Sequence, residues 1–397
     1  MKLHTAYLVL TLLTASVTAW AQDTVGTAQM AVAAFDKGEL DSAFALVSKS
    51  LTEKNTYIRL LLQGDIAFEQ KKYATAARCY TAADKMRSGV SGIRVSQAYA
   101  LAGIYDSAFA SLKAYMSTTE RISTAKIAAD TVFDSLKQDS RWQDIVNQKD
   151  INPYQKQLES AEHLIIINRK SDAYEILNEV IKSHPSYHRA WYLRAWAYYR
   201  DENYKSALTD IFQAIKLRSK NVEYINLLAQ IYDSLQKYEK AAEAWLSALR
   251  TDERCVGNFC SAARSFLQAK DYGSAEKYSR LYLILFPFDS QALNILSESL
   301  LQQGDCTGAL RVLNMSGDKN AAFYRTRGLI YLQSETYKFA IDDFNRAIDL
   351  DNTLYDVYLH RGLAHYFSGH RQEATNDWNT ALKHRCYKAN DYLQKYR

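Results

Sequence analysis

Apolar residues recur at helical spacing along most of the chain and are interrupted every twelve to twenty residues by short polar breaks. The stretch from His188 to Val256 shows the plan twice. A helical run, AWYLRAWAYYR, gives way to the polar break Asp201-Glu202-Asn203, and a second helical run follows; Tyr224 to Arg250 repeats it. A helix, a turn and a second helix cannot bury both apolar faces alone, so such units must stack. The pattern predicts an all-α array.

An alanine marks each unit: Ala43, Ala76 and Ala108, then Ala173, Ala207, Ala241, Ala275 and Ala309, then Ala340 and Ala374. From Ala173 to Ala309 the spacing is 34 each time. Twelve positions earlier another small residue recurs: Ala31, Gly64, Ser96, Ala161, Ala195, Ala229, Ala263, Ser297, Gly328 and Gly362. Two helices approach closely where their side chains are small, so these positions predict the seam of each hairpin. An aromatic falls three residues before the alanine at Tyr73, Tyr105, Tyr204, Tyr238, Tyr272 and Tyr337, and is expected to open the second helix. The period and these residue types resemble the tetratricopeptide repeat family, over nearly all of the chain after its first residues. Pro185 and Pro287 match the family's proline at the end of a unit, whereas Lys170, Cys306 and Arg371 replace the aromatic. The unit from Ser290 to Asn320 is three residues short near Ser316-Gly317 and is expected to be loosened. The resemblance implies an α-solenoid of stacked helix-turn-helix repeats in a right-handed superhelix.

Between Ala108 and Ala173 the beat is lost. Asp130 to Val146 reads as a degenerate capping pair with Phe133, Leu136, Trp142 and Ile145 on its apolar face, and Ile151-Asn152-Pro153 restarts the helices. The expected domains are a signal peptide, residues 1–21, then an N-terminal block, 22–150, and a C-terminal array, 151–397, closed by a terminal helix with Tyr392 and Tyr396. One continuous superhelix and two hinged arms both remain open. Lys2, the apolar run Ala6 to Ala19 and the small residues Ala19 and Ala21 predict export with a cut after Ala21, to a periplasm or beyond. No later segment is apolar enough to span a membrane.

The formal charge of +5 is spread among acidic residues, so nucleic acid is not an expected partner. The basic cluster Lys383, His384, Arg385 and Lys388 reads as a solvated terminal helix. Cys79, Cys255, Cys260, Cys306 and Cys386 lack zinc-site spacing and are expected as free thiols. His184 and His188 flank a turn at Pro185, and His360, His365 and His370 are five apart, which rotates each away from the last on a helix. No nucleophile elbow, phosphate-cradling loop or metalloprotease motif occurs. The expectation is a protein without catalysis, cofactor or metal.

Three pairs stand 16 apart: Arg194 and Asp210, Arg327 and Asp343, Arg361 and Asp377. A guanidinium on the first helix and a carboxylate on the second would fix the hairpin as a structural ion pair. In the family, the first helices line a concave groove that holds ligands. Mapped here, that implies partner-binding positions Arg189, Tyr192, Trp196, Tyr199 and Arg200, with Trp191 in the core. Asn226, Gln230, Arg264, Asn294, Glu298 and Arg325 follow, and Leu359, Leu363 and Tyr366 form an apolar end. Packing of Trp196 and Tyr199 against the preceding unit is the competing reading. The expected function is a scaffold or adaptor of the cell envelope that holds a protein or peptide segment. A structural subunit of a secretion or motility machine and a regulatory repeat domain for a separate enzyme are the alternatives.

Overall fold

Each repeat folds as a hairpin whose two apolar stripes face one another and the next hairpin. The computed structural model describes residues 25–118, 121–147 and 154–396, and every regular element among them is helical. The expected signal segment and the restart at Ile151, Asn152 and Pro153 lie outside the described residues. Packing divides the chain into a first unit ending at Asn258 and a second beginning at Phe259, so position 150 falls inside the first unit.

The first unit opens with three hairpins: α1 (Thr27–Asp36) with α2 (Leu40–Glu53), α3 (Tyr57–Glu69) with α4 (Tyr73–Met86), and α5 (Arg94–Leu101) with α6 (Tyr105–Met116). Where the beat is lost, α7 (Thr124–Ala129) leads to a 3-10 turn, Thr131–Leu136, and to α8 (Arg141–Val146). Phe133, Leu136, Trp142 and Ile145 are buried there with Leu112 and Met116 of α6. Three hairpins follow: α9 (Gln155–Ile166) with α10 (Lys170–Ser183), α11 (His188–Arg200) with α12 (Tyr204–Leu217), and α13 (Val222–Ser234) with α14 (Tyr238–Thr251). Glu159 of α9 accepts the Ser123 amide at 3.1 Å, so the irregular segment abuts the next hairpin.

The second unit contains α15 (Asn258–Gln268, which starts one residue before it) with α16 (Tyr272–Leu285), and α17 (Ser290–Gln302) with α18 (Cys306–Leu313). Then come α19 (Ala321–Gln333) with α20 (Tyr337–Leu350), α21 (Tyr355–Phe367) with α22 (Arg371–Lys383), and the closing α23 (Lys388–Lys395). The three missing residues fall after α18, which is 8 residues long against 14 for α16 and α20.

Tyr73, Tyr105, Tyr204, Tyr238, Tyr272 and Tyr337 are each the first residue of a second helix. Two residues earlier the backbone is left-handed, at Lys71, Gly103, Glu202, Gln236, Lys270 and Glu335 in the same order. The reason is the way a helix ends. In the α11–α12 turn the Asn203 amide donates to Tyr198 O and the Glu202 amide to Tyr199 O, a Schellman closure that satisfies the last carbonyls and needs a positive φ between them.

All ten marker alanines are fully buried. The small residues twelve positions earlier do a different job from the one expected. A Cβ on Gly64 would stand 2.5 Å from the Tyr80 ring, on Gly328 2.6 Å from Phe344, and on Gly362 2.4 Å from Trp378. The seam is therefore asymmetric: glycine on the first helix is the socket for an aromatic ring 16 residues later. Where the small residue is serine or alanine, the residue 16 later is commonly aliphatic, as in Ser96 with Leu112, Ala161 with Leu177 and Ser297 with Leu313. Ala229 with Trp245 departs from this; the Trp245 indole is tied to Asp233 at 2.9 Å.

Candidate binding surfaces

The three spaced pairs form bidentate bridges inside their hairpins. Arg194 reaches Asp210 at 2.6 and 2.9 Å, Arg327 reaches Asp343 at 2.6 and 2.8 Å, and Arg361 reaches Asp377 at 2.9 and 2.6 Å. The carboxylates are buried and the guanidiniums nearly so, and two parallel hydrogen bonds fix both position and angle. Arg194 and Arg361 also donate to Asn178 and Asn345, each 2.7 Å away on the second helix of the preceding hairpin. One arginine thus ties three helices.

Trp191 packs against the core of its own hairpin and of the preceding one but is only half-buried, short of the full burial that the resemblance implied. Its indole donates to Pro185 O at 2.8 Å and its ring lies 5.0 Å from the Arg194 guanidinium. Tyr358 covers Arg361 at 5.2 Å in the same register, so this position shields an arginine by a cation–π contact. Leu359 also departs from expectation: it is buried with Trp378 and Ala389, while Leu363 and Tyr366 pack on that cluster with Tyr392 of α23 and Tyr396 just after it. The apolar end of the supposed groove is covered by the chain's own last helix.

In the first unit, α11, α13 and the turns after α12 and α14 line a cavity of about 640 Å³. Arg189 and Tyr192 belong to it; Trp196, Tyr199, Arg200, Asn226 and Gln230 do not. Tyr192 stacks on Tyr224 at 4.7 Å, and burial pushes its phenol up to about 12. Arg189 donates to Glu162 at 2.9 Å. Trp196 and Tyr199 are half-buried at the seams between hairpins, Arg200 lies over Trp196 at 5.8 Å and donates to Ile165 O, and Gln230 is exposed.

What sequence reading missed is the far wall. Tyr57 and Val90, from the first hairpins, line the same cavity as Asp252 and Arg254, from the turn after α14. Two ion pairs join these walls. Arg59 of α3 grips Glu253 at 2.7 and 3.1 Å, and Arg254 stands 3.5 Å from Asp65, which also accepts from Tyr80 and Arg94. The first unit closes on itself, and contacts 194 residues apart leave no spacing signal in the sequence.

In the second unit, Arg264, Asn294 and Glu298 line a separate cavity of about 340 Å³ with Ser316, Asp318 and Phe323. It opens where α18 is short. Arg325 lies beside it, bridging Glu298 at 3.5 Å and Asp356 at 2.7 Å. The five cysteines are free; burial raises Cys255 to about 11 and Cys260 to about 12, which keeps both as thiols. His188 bonds the Tyr224 hydroxyl at 2.7 Å, and His365 and His370 meet edge to face at 5.9 Å. Among the described residues no helix is long and apolar enough to cross a membrane.

The tetratricopeptide repeat pattern matches residues 167–222 and 222–255. Human serine/threonine-protein phosphatase 5 is 31% identical over 121 residues, which are 30% of this chain and 18% of that protein. The NADPH oxidase activator of Dictyostelium discoideum is 29% identical over 94 residues, 23% of this chain and 16% of that one. This chain therefore spans less than a fifth of the length of either relative. A tetratricopeptide repeat protein from Parabacteroides merdae superposes with a TM-score of 0.51 at 16% identity, covering 58% of this chain and 92% of that one. With the 34-residue beat, the Schellman turns and the hairpin seams already in place, the conclusion is direct: residues 167–255 are tetratricopeptide repeats, and the hairpins on either side of them follow the same plan.

Proposed function

We propose that the protein is an exported, non-catalytic scaffold of the cell envelope that holds a segment of another protein in the inner cavity of its first unit. The observation that carries this is the cavity itself. Its volume of about 640 Å³ lies in the range that encloses a ligand or several side chains, and its lining mixes arginines with stacked tyrosines. Arginine and tyrosine are the residues that anchor interfaces. Tetratricopeptide repeats generally bind proteins, which agrees with this reading. The export component rests on the pattern of residues 1–21 alone.

Site-specific photocrosslinking tests both parts. A photoreactive residue in place of Lys220, an exposed cavity-lining position, should trap a partner in intact cells. The same residue in place of Phe212, exposed on a second helix, should not. Equal crosslinking at both, or none at Lys220, would overturn the cavity as the binding surface. Recovery of the full-length chain with its first 21 residues intact would overturn export by cleavage.

A further inference from the structure

The turn after α14 has an unusual chemical situation. Asp252 is served entirely by its neighbour: Arg254 gives it a backbone amide at 2.9 Å and guanidinium donors at 2.7 to 3.2 Å. Asp65, across the cavity, is likewise served by Tyr80 and Arg94. Beside the longer Arg254–Asp65 pair at 3.5 Å, the close tie between the walls is therefore that of Glu253 with Arg59 at 2.7 and 3.1 Å. Arg59 has a second anchorage that does not depend on Glu253, since its remaining donor group reaches Ser50 O and Lys54 O at the end of α2. The guanidinium stays in place whichever carboxylate occupies its fork. Glu253 keeps 28% of its side chain exposed, so an outside carboxylate can approach it.

The cavity behind the turn suits an acidic visitor. Its cations are Arg189, Arg218, Lys220 and Arg254, against the carboxylates of Glu162, Glu223 and Asp252. Glu162 and Asp252 are already bound to Arg189 and Arg254. Arg218 lies 3.4 Å from His188, and Lys220 is exposed at the rim. Exchanging one carboxylate for another on Arg59 strands no buried charge, whereas removing a carboxylate outright does.

We propose that the turn carrying Glu253 is a latch on the inner cavity of the first unit, and that an acidic peptide segment opens it by taking the place of Glu253 on Arg59. The proposal rests on the cavity as the binding surface and adds the partner's charge and the closed resting state. While the latch is shut, a ligand binds only to the open fraction, so its apparent affinity is reduced by that fraction.

The test is fluorescence anisotropy of the full-length chain with fluorescein-labelled octaglutamate at low salt. Glu253→Gln should bind it roughly ten-fold more tightly than wild type, the gain expected if about a tenth of molecules are open at rest. Arg59→Gln added to Glu253→Gln should remove that gain, and octalysine should show none. Equal affinities for wild type and Glu253→Gln, or a gain that survives loss of Arg59, overturn the latch. Hydrogen exchange gives an answer without any variant: saturating octaglutamate should speed exchange in residues 251–257 of the wild-type chain, and unchanged protection there overturns the proposal equally. Crosslinking at Lys220 together with indifferent octaglutamate binding would leave the cavity as the binding surface and remove only the latch.

Discussion

Close approach in this protein is settled by one atom. Gly328 has ordinary helical geometry, so its value lies in the space it leaves for Phe344, whose ring stands 2.6 Å from where a Cβ would be. Gly328→Ala gains helix propensity of about 1 kcal/mol but overpacks the seam, which costs about 1–3 kcal/mol. The net expectation is a loss of about 1 kcal/mol. In a Phe344→Leu background the clash is gone and the sign reverses: alanine at 328 should stabilise, as in the chain's own Ser297 with Leu313 and Ala161 with Leu177. Urea midpoints of the four species check this, and additive changes would sink it. The alanine beat was readable because it is periodic. The matching of glycine to an aromatic 16 residues on was equally present in the sequence, but a rule of small against small hid it. Trp191 was misplaced for a different reason: the family's pattern puts this position in the core, whereas here the ring packs at the core's edge and shields Arg194 through its π face.

At the scale of the element, helix starts were legible to the residue because tyrosine opens the second helix in six hairpins. The turns were legible only as polar breaks. Their left-handed residue is glycine at Gly38, Gly103, Gly304 and Gly369 but lysine, asparagine, glutamate or glutamine elsewhere, so no composition signal marks it. The strain makes opposite predictions for the two kinds. Nothing lies within 4 Å of a Cβ built on Gly369, where φ is 87°, so Gly369→Ala isolates the backbone term and should cost about 1–2 kcal/mol. Glu335→Gly, at φ 58°, releases a similar strain but frees the unfolded chain by about 0.4–1 kcal/mol, leaving it neutral to slightly stabilising. Chemical denaturation followed by circular dichroism compares them. If alanine at 369 were as well tolerated as glycine at 335, the Schellman turns would not be the constraint that sets these hairpins.

An open stack of hairpins has neighbours only along its length, so its end repeats fray first. The first unit breaks that rule, because Arg59 in its second hairpin is bonded to Glu253 beyond its last. Nothing local in the sequence announces such a contact, which is why fold class and repeat register could be read from one sequence while the cavity wall could not. The closure has an energetic consequence separate from ligand binding. Glu253→Gln leaves a guanidinium with only carbonyl partners, and loss of a charge-assisted hydrogen bond costs about 1.5–3 kcal/mol. That loss should fall on α1 to α4, whose closer tie to the far wall is cut while Arg254–Asp65 remains, and should leave the hairpin of α11 and α12 unchanged. Hydrogen exchange by mass spectrometry should therefore show faster exchange over residues 27–86 and no change over 188–217. In the wild-type chain, raising salt to about 1 M shortens the screening length to about 3 Å and should move the same segment in the same direction, by less because the pair is half-shielded. Uniform loss of protection across both segments would mean that Glu253 merely stabilises the fold, and that the two walls do not hold each other.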